Sequence, residues 1–319
     1  MRVADYIFRF LADRGASHVF LVTGGGAMHL DDAIRCEKRL SPVCCHHEQA
    51  CAIGAEGYVR AGGGLGVVCV TSGPGGTNAM TGLIGQWLDS IPVVYISGQV
   101  KFETTISSCP EVKLRQLGDQ EINIVDIVRP VTKYAAMVTD PLKIREELEK
   151  ALFHAFDGRP GPVWLDIPLN VQSTQVEAAD LTGVSPLSAE KPVPAAGDLD
   201  RLMELFRRSE RPVIIGGFGV RLAGACAALS RLAGRMHIPV VTTFNGFDVI
   251  ADDHPQFAGR IGSLGQRAGN FVLQNADLVL SIGSRNNMRQ VSYDWKNYAR
   301  AAVKVAVDAT GANASVIFV

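Results

Sequence analysis

The apolar positions along this chain change from helical spacing to short continuous runs and back. At the amino terminus they recur every three or four residues, at Val3, Tyr6, Ile7, Phe10 and Leu11. This spacing predicts a helix with one buried face. Five continuous apolar runs follow, at residues 18–22, 42–45, 66–71, 92–97 and 162–167. Continuous strands between helices are typical of a parallel sheet covered on both faces, so the pattern predicts an α/β fold.

Residues 174–197 have a different character, with three prolines, small or polar residues and no sustained period. They predict a linker between two domains, residues 1–173 and residues 198–319. The alternation resumes beyond them: the pattern predicts helices from about residue 199 and over 221–236, and strands at 212–215, 239–242, 277–282 and 302–307. We therefore expect two open parallel-sheet domains.

Composition and charge narrow the classes of function. The 319 residues include 31 basic and 32 acidic side chains, a net charge of −1, which removes the electrostatic argument for binding nucleic acid or an anionic membrane. No apolar run approaches the ~20 residues that span a bilayer. Asp5 and Arg9 interrupt the stretch that a signal peptide would need. Seven dispersed cysteines fit a reducing cytoplasm.

The first candidate for chemistry is Glu48, which opens a predicted helix. A lone acid in a first helical turn is ordinarily explained by the helix dipole. Cysteines and histidines surround it and raise the alternative of a zinc site: Cys44, Cys45, His46, His47 and Cys51. Four of these are consecutive, so their side chains diverge, and packing is the better explanation.

Two glycine-rich turns follow predicted strands. The first holds Gly24, Gly25 and Gly26, and the second covers residues 71–78, with Thr71, Ser72, Pro74, Gly75 and Asn78 as candidate binding residues. Glycines let backbone approach a ring or a phosphate closely, although an ordinary strand-to-helix connection has the same composition. Ligands of open α/β sheets bind at the carboxyl ends of strands, so we expect both turns at one edge.

Taken together, these residues resemble thiamine diphosphate enzymes of the acetohydroxyacid synthase (acetolactate synthase) group. The matches are the amino-terminal helix, the turn at 24–27, residues 47–49 with 55–58, residues 71–78, 120–130, 158–163 and 166–168. They cover most of residues 1–170, and the second domain matches more loosely. The resemblance implies a pyrimidine-binding domain followed by a Rossmann-like central domain.

The same resemblance implies roles for individual residues. Glu48 matches the glutamic acid that hydrogen-bonds a ring nitrogen of the cofactor's aminopyrimidine and activates it, and Gln120 matches a glutamine of the reaction pocket. The two turns would bind the pyrimidine side of thiamine diphosphate. Asp119 stands where the family usually has an aromatic residue, so pyruvate is implied as substrate by resemblance alone.

FAD is a second ligand of true acetohydroxyacid synthases. The residues that match its site are Arg159, Gly262, Gly265, Asn270, Gly283 and Arg285. Asn286 and Asn287 replace the acidic pair expected next. Several decarboxylases of the family keep this domain without a ligand, and the sequence leaves both alternatives open.

The printed sequence contains no Gly-Asp-Gly, the start of the family motif that binds Mg²⁺ and the diphosphate in a third domain. We therefore expect the chain alone to be inactive. Three hypotheses follow: part of a 2-oxo acid decarboxylase or carboligase, a subunit completed by another polypeptide, or a non-catalytic α/β binding module. For the first two, the resemblance implies a homo-oligomer, dimer or tetramer, or a complex with a diphosphate-domain subunit.

Overall fold

A computed structural model describes residues 1–62, 64–184, 193–308 and 315–318. The described strands are β1 His18–Leu21, β2 Ser41–Cys44, β3 Gly66–Val70, β4 Val93–Gln99, β5 Tyr134–Met137, β6 Val163–Pro168, β7 Pro212–Gly216, β8 Val240–Thr242, β9 Phe257–Arg260, β10 Leu278–Ile282, β11 Val303–Asp308 and β12 Ser315–Phe318. The described α-helices are α1 Val3–Asp13, α2 Met28–Cys36, α3 Glu48–Arg60, α4 Pro74–Asn78, α5 Met80–Asp89, α6 Ile124–Val128, α7 Ile144–Phe156, α8 Leu169–Ser173, α9 Ala196–Arg208, α10 Phe218–Leu222, α11 Cys226–Met236, α12 Arg267–Gln274 and α13 Met288–Val291. None of the described helices is long and apolar enough to cross a bilayer.

The chain divides into two compact units, residues 1–189 and 190–319. The first unit is built on a parallel sheet of order β2-β1-β3-β4-β6-β5. Every residue of β3, β4 and β6 is buried, as strands covered by helices on both faces require. Residues after α8 remain with this unit, because the backbone N–H groups of Val3 and Val176 bond the carbonyls of Thr174 and Met1.

The second unit has the sheet order β12-β11-β10-β7-β8-β9. Its strands run parallel except for the edge strand β12, which is antiparallel to β11. The apolar core on one face of the sheet includes Ile214, Val240 and Leu280, and that on the other face includes Val213, Val241 and Val279.

The predicted α/β class and its two open sheets are confirmed, with differences in detail. The sequence pattern missed β5, β9 and β12, and β12 departs from the all-parallel prediction. Six residues separate β11 from β12, too few for the crossover that a parallel pair needs. The helix predicted over 221–236 is two helices, α10 and α11, because Gly224 between them has φ +65°.

A polar network lies inside the first unit, between β4 and β6. The Asp166 carboxylate is fully buried and accepts hydrogen bonds from the Ser97 hydroxyl (2.5 Å) and the Gln99 amide (3.0 Å). The Trp164 indole N–H donates in turn to the Ser97 hydroxyl (2.7 Å). Burial raises the pKa of Asp166 to about 6, against the two hydrogen bonds that favour its charged form.

Asp166→Asn should change how stability depends on pH. The folded pKa of Asp166 lies above its unfolded value of 3.8, so its contribution is largest at low pH and is lost as pH rises through about 6. Between pH 4.5 and 7 the free energy of unfolding of the wild type should fall by ~2 kcal/mol relative to that of the variant. Asp31 shifts in the same direction in both proteins, so it cancels in the difference. Urea unfolding across this range measures it, and parallel pH profiles would contradict the assignment.

Candidate functional site

The strand order places a topological switch point, here called the crevice, at the carboxyl edge of the first sheet. The chain leaves β1 for β2 on one side and reaches β3 on the other side of β1. The segments after β1 and β3 therefore diverge, and such switch points are where open α/β sheets bind ligands. Pairing of Leu21 with Cys69 brings the two strand ends side by side. The glycine turn 24–26 and the turn 71–78 both start here, as predicted.

Glu48 lies at the same edge of the sheet, in the segment that follows β2, the strand next to β1. It is the first residue of α3, whose N-cap His47 accepts a hydrogen bond from the Gln49 N–H through its ring nitrogen Nδ1 (3.1 Å). The Glu48 side chain is buried, and its Oε2 accepts a hydrogen bond from the Asn78 amide (3.0 Å). Asn78 thus orients the carboxylate.

Contacts between the two turns leave no space for a side chain at Gly24 or Gly26 of the first. The Gly26 N–H donates to the Thr71 hydroxyl (3.0 Å). A Cβ at Gly24 would lie 2.5 Å from the Thr71 Cβ, and one at Gly26 would lie 2.7 Å from the Ser72 hydroxyl. Gly25 is exposed and has nothing within 4 Å of such an atom. Steric contact with the second turn therefore explains why Gly24 and Gly26, two of the three predicted residues, are glycines.

The second turn passes close to Glu48. Gly75 follows Pro74 in the first turn of α4, and a Cβ there would lie 2.7 Å from the Thr71 methyl carbon and 3.6 Å from Glu48 Oε1. Gly73 has φ +61°, and a Cβ there would lie 2.3 Å from the carbonyl oxygen of Gln120. The structure thereby brings Gln120 to the same turn.

Asp31 is a site residue that the sequence analysis missed. It lies in the first turn of α2, and its Oδ2 accepts a hydrogen bond from the Gly24 N–H (3.2 Å). Its Oδ1 is buried without a hydrogen bond to the described residues. Burial raises the pKa of Asp31 to about 6. An acid in the first turn of the helix that follows a glycine turn was the available sequence signal.

The predicted flavin residues fall in both units. In the first unit, the Arg159 guanidinium donates to the Ser90 hydroxyl (2.6 Å) and to the Leu88 carbonyl (3.2 Å). In the second unit, Gly262 and Asn270 exchange two hydrogen bonds of 3.0 Å between the Asn270 side chain and the Gly262 backbone.

The glycines of the second unit have packing reasons of their own. The Gly219 N–H donates to the Gly283 carbonyl (2.9 Å), which joins the segments after β7 and β10. A Cβ at Gly262 would lie 2.5 Å from the Arg289 carbonyl oxygen, and one at Gly265 would lie 2.6 Å from that of Arg260. Gly283 has φ +59°. Packing and backbone conformation therefore explain these glycines, and no bound ligand is needed to explain them. Arg285, the last of the predicted flavin residues, follows Ser284 in the segment after β10.

Comparison with known proteins decides the family. Residues 1–126 match the family described as "Thiamine pyrophosphate enzyme, N-terminal TPP binding domain", and residues 199–317 match "Thiamine pyrophosphate enzyme, central domain". The chain belongs to the thiamine pyrophosphate enzymes. This confirms the predicted resemblance; thiamine pyrophosphate is another name for thiamine diphosphate.

Several members of the family are similar over nearly the whole chain. A probable acetolactate synthase large subunit of Methanocaldococcus jannaschii is 34% identical over 316 residues, 97% of this chain and 51% of that protein. A glyoxylate carboligase of Escherichia coli O157:H7 is 33% identical, over 97% of this chain and 51% of that one. An acetolactate synthase large subunit of Lactococcus lactis is 32% identical, over 96% and 52%. The chain spans about half the length of these curated relatives.

The crevice fits one half of thiamine pyrophosphate. A buried carboxylate beside two glycine-rich turns suits a flat ring that carries a hydrogen-bonding nitrogen. For a metal the described residues do not fit, because they contain no group of three or more His, Cys, Asp or Glu side chains that could hold an ion. The cysteines and histidines around Glu48 therefore form no such group either.

Proposed function

We propose that this chain supplies the aminopyrimidine half of the active site of a thiamine diphosphate-dependent 2-oxo acid decarboxylase or carboligase similar to acetolactate synthase. The observation that carries this proposal is the buried Glu48 carboxylate, oriented by Asn78 of the turn 71–78. The family membership and the acetolactate synthase and glyoxylate carboligase relatives support the same class of reaction.

The residues of the crevice have distinct tasks in this proposal. Thiamine diphosphate, when bound, supplies the carbon centre that stabilises the negative charge left by decarboxylation. Glu48 holds a proton at a nitrogen of the pyrimidine ring, and Asn78 fixes the carboxylate for that contact. Thr71, Ser72 and the glycine turn 24–26 enclose the ring and exclude water from it. Gln120 presents its amide to the substrate, for which pyruvate is the proposed example.

The proposal includes two further ligands, Mg²⁺ and FAD, and a different observation bears on each. The diphosphate and its Mg²⁺ would be held by residues of a diphosphate-binding domain. For FAD, the support is the sequence match of Arg159, Gly262, Gly265, Asn270, Gly283 and Arg285. Because packing accounts for the glycines and Arg159 already bonds Ser90 and Leu88, we assign the flavin no role in the reaction.

The proposed assembly is a homo-oligomer, or a complex with a subunit that carries the diphosphate domain. Apolar side chains on α3 and α5, two helices that pack together, support a partner surface in the first unit: Ile53, Ile84 and Leu88 are 51%, 39% and 52% exposed. All seven cysteines are free thiols, which agrees with the proposed cytoplasmic location.

Titration with thiamine diphosphate tests the function. The isolated chain should bind with a Kd of about 1 mM, because one strong hydrogen bond and some apolar contact are all it offers. Glu48→Ala should abolish this binding, whereas Glu177→Ala, on an exposed position of the same unit, should leave it unchanged. Addition of a polypeptide with a Gly-Asp-Gly diphosphate site should tighten binding by orders of magnitude and give pyruvate turnover. Equal binding by both variants, or no turnover of any 2-oxo acid, would refute the proposal.

A further inference from the structure

The segment between β4 and α6 holds Gln120 in an unusual conformation. Gln120 has φ +56°, a left-handed conformation that costs energy for a residue with a side chain. Its carbonyl oxygen lies against Gly73, where a Cβ would come within 2.3 Å. The Gln120 side chain is exposed, and its amide makes no hydrogen bond to the part of the chain that the structure describes. Such a conformation persists only where the surroundings fix it.

The adjacent Glu121 provides one part of that fixation. Its Oε1 accepts a hydrogen bond from the Ile106 N–H (2.6 Å), and its Oε2 accepts from the N–H groups of Leu117 (2.9 Å) and Gly118 (3.1 Å). One carboxylate thus joins the beginning of the segment 106–121 to its end. Hydrogen bonds from backbone N–H groups to a charged carboxylate are stronger than those to a neutral acceptor.

Ile122, two residues after Gln120, is bonded to the buried network of Gln99 and Asp166. The Gln99 amide donates to the Ile122 carbonyl (3.0 Å) and also to Asp166 (3.0 Å). The Gln99 side-chain oxygen accepts from the Val100 N–H (3.0 Å), so this amide cannot rotate without loss of hydrogen bonds. Two anchors therefore follow Gln120 directly in the chain, one at residue 121 and one at residue 122.

We propose that Glu121 is a positioning residue that sets the side chain of Gln120 toward the 2-oxo acid. The inference rests on the proposed function, which gives Gln120 its place in the reaction pocket. Glu121 touches no reacting atom in this account. It acts by closing the segment 106–121, and the closed segment presses the Gln120 carbonyl against Gly73 and directs the amide outward.

Glu121→Gln is the informative variant, with Glu111→Gln as its matched control. Glutamine keeps the shape of the side chain but turns one acceptor oxygen into a donor, which opposes the backbone N–H groups it faces. Glu111 is an exposed residue of the same segment with no hydrogen bond to the described residues. Amide exchange at Ile106, Leu117 and Gly118 should be at least about tenfold faster in Glu121→Gln and unchanged in Glu111→Gln.

The second measurement is the kinetics of the holoenzyme, the chain together with its diphosphate domain and thiamine diphosphate. In Glu121→Gln the KM for the 2-oxo acid should rise about tenfold while the Kd of thiamine diphosphate stays within about twofold, because Glu48 and its turns are not altered. Glu121→Asp should recover part of the KM. Unchanged amide exchange, an unchanged KM, or a matching loss of cofactor affinity would each overturn the positioning role. Absence of 2-oxo acid turnover in the unaltered holoenzyme refutes the proposed function instead and removes the substrate role of Gln120 with it.

Discussion

Glu48→Gln should lower turnover of the completed enzyme by about 10²-fold or more, the size of a lost acid–base contribution. The variant keeps a side chain of the same size at the first position of α3, and its amide oxygen can still accept the hydrogen bond from Asn78. An amide cannot hold or release a proton at the pyrimidine nitrogen. We therefore expect the fold and most of the cofactor affinity to remain while kcat falls.

Glu56→Gln is the control for this experiment. Glu56 lies on the same helix and forms an ion pair with Arg60 (2.8 Å), a partly exposed contact whose loss costs little. Steady-state kinetics with saturating cofactor measures both variants. Turnover of Glu48→Gln within a factor of two of the parent would remove Glu48 from the mechanism.

Gly98→Ala should have the second largest effect, on stability and activity together. Gly98 lies in β4, and a Cβ there would come within 2.1 Å of the Gly26 carbonyl oxygen and 2.7 Å of the Ala27 Cα. Both are backbone atoms, so the glycine turn itself must move away from the sheet. Overpacking of this kind costs roughly 1–3 kcal/mol, and the displaced turn no longer encloses the ring beside Glu48.

The matched control is Gly25→Ala in the same turn, where a Cβ meets nothing within 4 Å. Its free energy of unfolding should stay within about 0.5 kcal/mol of the parent, as for other surface substitutions. Denaturant unfolding and cofactor titration of the two variants make the comparison. Equal stability and equal binding would show that the turn does not depend on its close approach to β4.

The sequence predicted the strands that have a strong apolar signal. The central strands β3, β4 and β6 are buried on both faces and therefore read as continuous apolar runs. The edge strand β5 is only half-buried, and β9 contains Gly259 at φ +117°, so neither shows that pattern. Edge strands make fewer demands on composition, and propensity alone does not recover them.

The same distinction holds for the candidate site. Glu48 and the two glycine turns could be found because each directly follows a strand, and the carboxyl ends of parallel strands share an edge. Asp31 had a local signal that went unused, whereas the roles of Gly98 and Glu121 were missed because they come from approach between distant segments. Gly98 faces Gly26 across the sheet edge, and Glu121 bonds a backbone N–H fifteen residues earlier. Local composition does not predict such contacts.

A structure of this chain with thiamine diphosphate, at a concentration several times its expected Kd of about 1 mM, tests the central claim most directly. We expect the pyrimidine ring beside Glu48, against the glycine turn 24–26 and the turn 71–78. A ring nitrogen should lie about 2.7–3.2 Å from a Glu48 carboxylate oxygen. A ring bound elsewhere on the chain, or bound in this crevice without contact to Glu48, would contradict it.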